Sequence, residues 1–155
     1  MMLFPTEFVL KTTAKGMRLM ATPIEEISQL HQVEYKWQSI SAQQANEKLK
    51  AIKSSTLHVK MKFTIDPGNT LSLRFKGNEL VNIPGTDLTT SSNEIELLID
   101  KTSAEIFINN GAKYIVRNLL HARNENGLEF SSELYGPAIE QLEVYELKSI
   151  WNTNK

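Results

Sequence analysis

The chain has 155 residues with 17 basic and 18 acidic side chains, and its net charge of −1 exerts no global pull toward nucleic acid or an anionic membrane. Cysteine is absent, which excludes disulfides, thiolate metal sites and a cysteine nucleophile. A hydrophobic content of 41% suits one globular domain, and no stretch reaches the ~20 apolar residues of a membrane-spanning helix.

The opening, Met1-Met2-Leu3-Phe4-Pro5-Thr6-Glu7, has neither the basic start nor the long apolar run of a secretory signal. If the parent protein is exported to the periplasm or secreted, its signal is expected upstream. Tyr35-Lys36-Trp37 belongs to an alternating run, in which one neighbour of Trp37 faces inward. From Ser41 to Ile52 the period changes. Ala42, Ala45, Leu49 and Ile52 recur at three- and four-residue steps behind Ser41, which predicts a short helix with Ser41 as its N-cap.

Period two then dominates. Leu57, Val59, Met61 and Phe63 alternate with His58, Lys60 and Lys62, and Leu71, Leu73 and Phe75 alternate with Ser72, Arg74 and Lys76. Asp66-Pro67-Gly68-Asn69 between these strands reads as a hairpin connection, and Lys76-Gly77-Asn78 as another turn. After a Thr/Ser-rich loop from Gly85 to Asn93 come strands over Glu94–Ile99 and Ala104–Ile108. Asn109-Asn110-Gly111 tolerates the positive φ of a tight turn, Tyr114–Leu120 continues as a strand, and Gln141–Ile150 is the last. Short strands at this spacing predict an all-β, two-sheet antiparallel sandwich of jelly-roll type with at most one short helix.

No residue constellation for catalysis emerges. His31, His58 and His121 form no ligand pair, and His58, beside Lys60, is expected to be a solvated strand residue. There is no Gly-x-Ser-x-Gly elbow and no phosphate-cradling glycine loop. Glu94 and Glu96 share one strand face and are expected to meet water; Glu140, Glu143 and Glu146 are expected to form the polar face of the final strand. Trp37 and Trp151 are candidates for stacking on sugar rings, with core packing as the competing reading.

Two stretches carry a resemblance. In Asp100-Lys101-Thr102-Ser103-Ala104-Glu105-Ile106-Phe107-Ile108-Asn109-Asn110-Gly111, the residues Asp100, Lys101, Ser103, Glu105, Phe107, Asn109 and Gly111 fall in register on a known strand-pair signature. Thr102 and Ala104 depart from it mildly. Upstream stand Phe4-Pro5-Thr6-Glu7-Phe8, then Gly16-Met17-Arg18-Leu19, then Pro23-Ile24-Glu25-Glu26-Ile27. Both stretches resemble the C-terminal β-sandwich of family 32 glycoside hydrolases, the family of levanases, invertases and exo-inulinases. The upstream motifs are similar to its crossing segment from catalytic domain to sandwich.

The resemblance implies a module without the active site. The family's nucleophile motif, Trp-Met-Asn-Asp-Pro-Asn-Gly, has no counterpart at Trp37 or Trp151. The only Asp-Pro, at Asp66-Pro67, follows Ile65 where the family has arginine, and an acid/base in Glu-Cys needs a cysteine. No catalytic, cofactor-binding or metal residue carries over, and no cofactor is expected. The implied organisation is a crossing segment over residues 1–30 and a sandwich over 31–155. The implied role is to stabilise a catalytic propeller, with Phe4, Pro5, Phe8 and Leu19 as propeller or homodimer contacts. The competing expectation is a free-standing, lectin-like fructan-binding protein. An exposed aromatic platform would favour the second reading and a bare apolar flank the first. On Ala104–Ile108, Ile106 is expected to face the core, with Phe107 less enclosed beside Glu105, whose carboxylate would meet a basic neighbour or the propeller.

Overall fold

The computed structural model describes residues 3–13, 16–89, 91–120, 127–131 and 136–148. In chain order the elements begin with β1 (Thr6–Thr13), β2 (Gly16–Pro23), a 3-10 turn over Glu25–Leu30, β3 (His31–Ser41) and helix α1 (Ala42–Leu49). There follow β4 (Leu57–Thr64), β5 (Thr70–Phe75), β6 (Asn78–Pro84), a 3-10 turn over Gly85–Asp87, β7 (Asn93–Ile99) and β8 (Ser103–Ile108). The last strands are β9 (Lys113–Asn118), β10 (Leu128–Phe130) and β11 (Ala138–Leu147).

These strands form a six-stranded sheet in the order β3-β11-β4-β7-β8-β9, a three-stranded sheet β10-β5-β6 and a two-stranded ribbon β1-β2, every pairing antiparallel. The period-two sets meet where the two larger sheets face each other. Val59, Met61 and Phe63 of β4, Leu71, Leu73 and Phe75 of β5, Leu97 of β7 and Ile106 of β8 belong to one buried cluster. The two-sheet antiparallel sandwich expected from the sequence is the fold observed.

Helix α1 closes one end of this core. The Ser41 hydroxyl accepts the Gln44 backbone N–H at 3.2 Å, and the Gln44 side chain accepts the Ser41 N–H at 3.0 Å. This capping box satisfies two donors that a helix start leaves unpaired. Ala42, Ala45 and Leu49 face the core as their spacing requires. Asn46 is also buried, and its side chain brackets β10: it donates to Phe130 O at 2.9 Å and accepts from Phe130 N at 2.7 Å.

One predicted turn closes a hairpin and another does not. Lys76 and Gly77 both have positive φ between the paired Phe75 and Asn78, which is the two-residue hairpin matched to strand twist. Asp66–Asn69, by contrast, joins no hairpin. β4 pairs with β11 and β7, while β5 pairs with β6 and β10, so this turn carries the chain from one sheet to the other. Its return is held from outside: Gly85 N–H donates to Asn69 O at 2.8 Å.

Candidate functional site

Register divides the outer face of the six-stranded sheet into two halves. One row across the strands runs Tyr145, His58, Leu98, Glu105, Val116; the next runs Lys36, Glu143, Lys60, Glu96, Phe107, Tyr114. The β7–β9 end of these rows is apolar, and the N-terminal segment lies over it. Ala21 and Ile27 form a second buried cluster with Leu98 and Phe107, flanked by Phe4, Ile24 and Tyr114. The Phe107 and Tyr114 rings stack with centroids 4.9 Å apart.

Glu105 sits at the centre of the covered half with no exposed surface. Its carboxylate accepts the Phe4 backbone N–H at 2.6 Å and the Tyr114 hydroxyl at 2.5 Å, with the Thr6 hydroxyl at 3.5 Å. Burial pushes the Tyr114 hydroxyl up to about 12, and the hydrogen bond to the Glu105 carboxylate and its charge add to that rise. Alongside, the Ala21 N–H donates to Gly111 O at 3.2 Å. A Cβ on Gly111 would lie 1.8 Å from Ala21 O, and its φ of +76° is one that glycine adopts without strain.

The open half is a ladder of charge. Lys62 meets Glu94 at 2.9 Å, Lys60 meets Glu96 at 3.6 Å and Lys36 meets Glu143 at 3.9 Å. At its end His58, 2% exposed, touches Glu96 Oε1 through Nε2 at 2.6 Å and His31 Nε2 through Nδ1 at 2.9 Å. The His31 ring stacks on Tyr145 at 3.8 Å, and the Tyr145 hydroxyl donates to Glu143 at 2.6 Å. Burial lowers the His31 pKa, helped by His58 and Lys60. Burial alone would raise Glu96, but the hydrogen bonds and charges of His58 and Lys60 outweigh it and leave the carboxyl low.

Between the halves lies a groove of about 290 Å³ lined by Thr22, Lys60, Lys62, Glu94, Phe107 and Gln141, among others. Its lysines are matched by carboxylates of the same chain, so no uncompensated charge there calls for an ionic ligand. Among the described residues, no group of three or more His, Cys, Asp or Glu side chains could hold a metal ion.

Several sequence expectations are corrected here. His58 is not solvated, because the rings of His31 and Tyr145 cover the strand face that Lys60 and Lys62 leave open. Glu96 is drawn toward His58 rather than standing free in water. Phe107, 2% exposed, is as enclosed as Ile106 at 0%, since the N-terminal segment covers it. Among the described residues Glu105 meets no basic side chain; its partners are a tyrosine, a threonine and a backbone amide.

The other predicted residues separate by location. Phe4 packs against the covered cluster and Pro5 is exposed. Phe8 and Leu19 are 56% and 60% exposed and share one ribbon face with Leu10 at 60% and Met17 at 68%. The root of that face is anchored, since Ala21 is buried and the Phe8 ring meets Tyr114 edge-on at 6.3 Å. Trp37 packs against the main core, stacked on Tyr35 at 5.9 Å and with the Lys48 ammonium 5.8 Å from its ring centre. Trp151 and His121 lie outside the described residues.

No protein-family model matches the chain. A levanase from Bacillus subtilis (strain 168) is 22% identical over 185 residues, an alignment that takes in 96% of this chain and 27% of the levanase. The exo-inulinase of Aspergillus awamori superposes with a TM-score of 0.65 at 13% identity, covering 96% of this chain and 36% of that one. Fructan 1-exohydrolase IIa from Cichorium intybus gives 0.64 at 16% identity over 92% of this chain and 40% of its own. The sucrose-6-phosphate hydrolase of Lactobacillus gasseri gives 0.62 at 15% identity, over 93% and 33%. The chain thus spans between about a quarter and two fifths of the length of each of these proteins. A two-sheet sandwich matched along nearly its whole length to these proteins bears out the resemblance to the C-terminal β-sandwich domain of family 32 glycoside hydrolases.

Proposed function

We propose that the chain is the non-catalytic C-terminal module of a fructan- or sucrose-cleaving glycoside hydrolase, and that it braces the catalytic propeller of that enzyme. In this reading residues 1–30 are the crossing segment and 31–155 the module proper. The observation that carries it is the exposed apolar face of the ribbon, Phe8, Leu10, Met17 and Leu19. Contiguous apolar surface of this kind marks a binding face on a soluble domain. That the chain covers only 27% of the levanase and 40% of the exohydrolase supports a partner domain of the same parentage. Phe8 and Leu19 are then direct contacts, while Phe4 and Pro5 hold the segment that presents them. The rival reading, a fructan-binding protein working alone, calls for a bare aromatic platform, whereas Trp37 is partly buried and packs against the core.

The test is reconstitution. A levanase catalytic domain produced without its own sandwich is mixed with the purified chain, and its melting temperature and co-elution are followed. Stabilisation is expected with the wild type and is lost with a Phe8→Ser/Leu19→Ser double variant. The chain alone should release no reducing sugar from sucrose, inulin or levan, because the motifs that carry the carboxylates flanking the bond in such enzymes have no counterpart in its sequence. Activity of the chain by itself, abolished by a point substitution in it, refutes the proposal. Saturable fructan binding without any effect on the catalytic domain favours the rival.

A further inference from the structure

Glu105 and Phe107 share one side of β8, and Asn109 and Gly111 belong to the turn that follows, where positive φ ends the strand alternation. In the structure that side is the covered half of the outer face, and three of the four touch the same thing. Glu105 takes the Phe4 N–H, Phe107 packs on Ala21 and Ile27, and Gly111 O takes the Ala21 N–H. Asn109 holds the turn in place: it has a positive φ of 50°, its side chain accepts the Glu94 N–H at 2.9 Å and donates to Asn93 at 3.0 Å. Gly111 thereby abuts β2 with no room for a Cβ.

We infer that Glu105, Phe107 and Gly111 form a seat for the N-terminal arm, and that Glu105 is the positioning residue that fixes how the ribbon projects from the sandwich. A carboxylate stripped of water and left without a cation is costly unless donors surround it. An arm docked in another register would shut out water without bringing the Phe4 and Thr6 donors, whereas the observed placement completes the shell of Glu105. The seat therefore selects one placement of residues 4–6, and the backbone contact at Gly111 selects the placement of Ala21. The ribbon joins these two points, so its apolar face leaves the sandwich at a set angle. Only the use of that angle, presentation to a catalytic domain, rests on the proposed function.

Hydrogen exchange followed by mass spectrometry on the intact chain tests the seat. In Glu105→Ala and Gly111→Ala, β1–β2 amides are expected to exchange at least tenfold faster while β4 and β7 amides keep wild-type rates. Glu105→Gln should restore much of the protection, because its carbonyl accepts the Phe4 N–H and its amide can donate to the Tyr114 oxygen. Should Glu105→Ala fail to fold, Tyr114→Phe and Gly111→Ala carry the test. Equal acceleration of arm and core amides overturns the inference, as does an arm whose exchange is unchanged in the folded variants. An arm that stays protected leaves the docking reading of the ribbon intact, whereas a seated arm that binds no catalytic domain refutes that reading alone.

Discussion

Ile106 and Phe107 are adjacent on β8 and point to opposite sides of the six-stranded sheet, so truncating each one probes a different interface. Ile106 has no exposed surface, lies between Leu97 and Ile115 across the sheet, and belongs to the inter-sheet core. Phe107 owes its burial to the arm laid over it. Removing a buried isoleucine to alanine costs about 2–5 kcal/mol and a phenylalanine about 3–5 kcal/mol, through lost transfer energy and the cavity left behind. At roughly 2–4 °C per kcal/mol for a domain of this size, a cost of ~3 kcal/mol lowers the melting temperature by about 6–12 °C. Ile106→Ala should show this in full in thermal and urea unfolding, with every strand of the large sheet losing protection together. Phe107→Ala should lose at least ~1 kcal/mol globally, with the largest loss of protection in β1–β2, since a cavity under the arm is relieved by letting the arm go. A Phe107→Ala variant as stable as wild type would show that the arm is not seated on the sheet. An Ile106→Ala loss below about 1 kcal/mol would show that the two sheets do not pack tightly there.

Acidification should destabilise the chain in two steps. The folded-state pKa of His31 is depressed, so the unfolded chain binds that proton first and stability falls as pH drops below 6.5, although Glu34 and Glu143 pull the other way. Glu96 is also depressed and adds a second loss below 4.5; His31→Gln should flatten the upper step alone in melting curves taken between neutral pH and pH 5. Ser41→Ala should cost about 1 kcal/mol in urea unfolding by removing the helix cap, and an unchanged midpoint would show that the capping box contributes nothing. Ultraviolet titration should place Tyr114 ionisation near 12 in the folded chain against 10.0 when unfolded, so stability falls between those values; a Tyr114→Phe difference signal centred at 10.0 in the folded protein would contradict burial against Glu105.

The fold was legible where a local pattern and its tertiary use coincide. Val59, Met61 and Phe63 alternate because one face of β4 is core, and Lys60 and Lys62 mark the other. Ser41 announces α1 because the cap is made locally, and the structure adds Gln44 as the other half of the capping box. The partition of strands between sheets was not legible. Asp66-Pro67-Gly68-Asn69 reverses the chain locally whether the next strand pairs with the last or crosses to the opposite sheet, and the choice is set by β11 and β7 flanking β4. β10 is shorter still: three residues held by Asn46, a polar side chain on the buried side of a helix, which periodicity alone counts as a mismatch.

The outer face was misread for a related reason. Parity places Glu105 and Phe107 on the side away from the core, where a basic neighbour or a separate domain is the expected cover. What covers Phe107 and Leu98 is a segment more than 70 residues upstream, and the Phe4 amide reaches Glu105 across a separation of 101 residues. His58 is likewise covered by distant segments, since the Tyr145 and His31 rings come from other strands. A local clue did exist. β8 carries a carboxylate inside a strand of otherwise small and apolar residues, and every one of its six positions is buried, whereas an open face would have alternated as β4 does at Lys60 and Lys62. A lone acid in such a strand needs donors brought by another segment. The resemblance had singled out Glu105, Phe107, Asn109 and Gly111 without a reason for their spacing. Three of them meet the N-terminal arm, Glu105 at the Phe4 amide, Phe107 at Ala21 and Ile27, and Gly111 at the Ala21 amide, while Asn109 ties the turn to the start of β7.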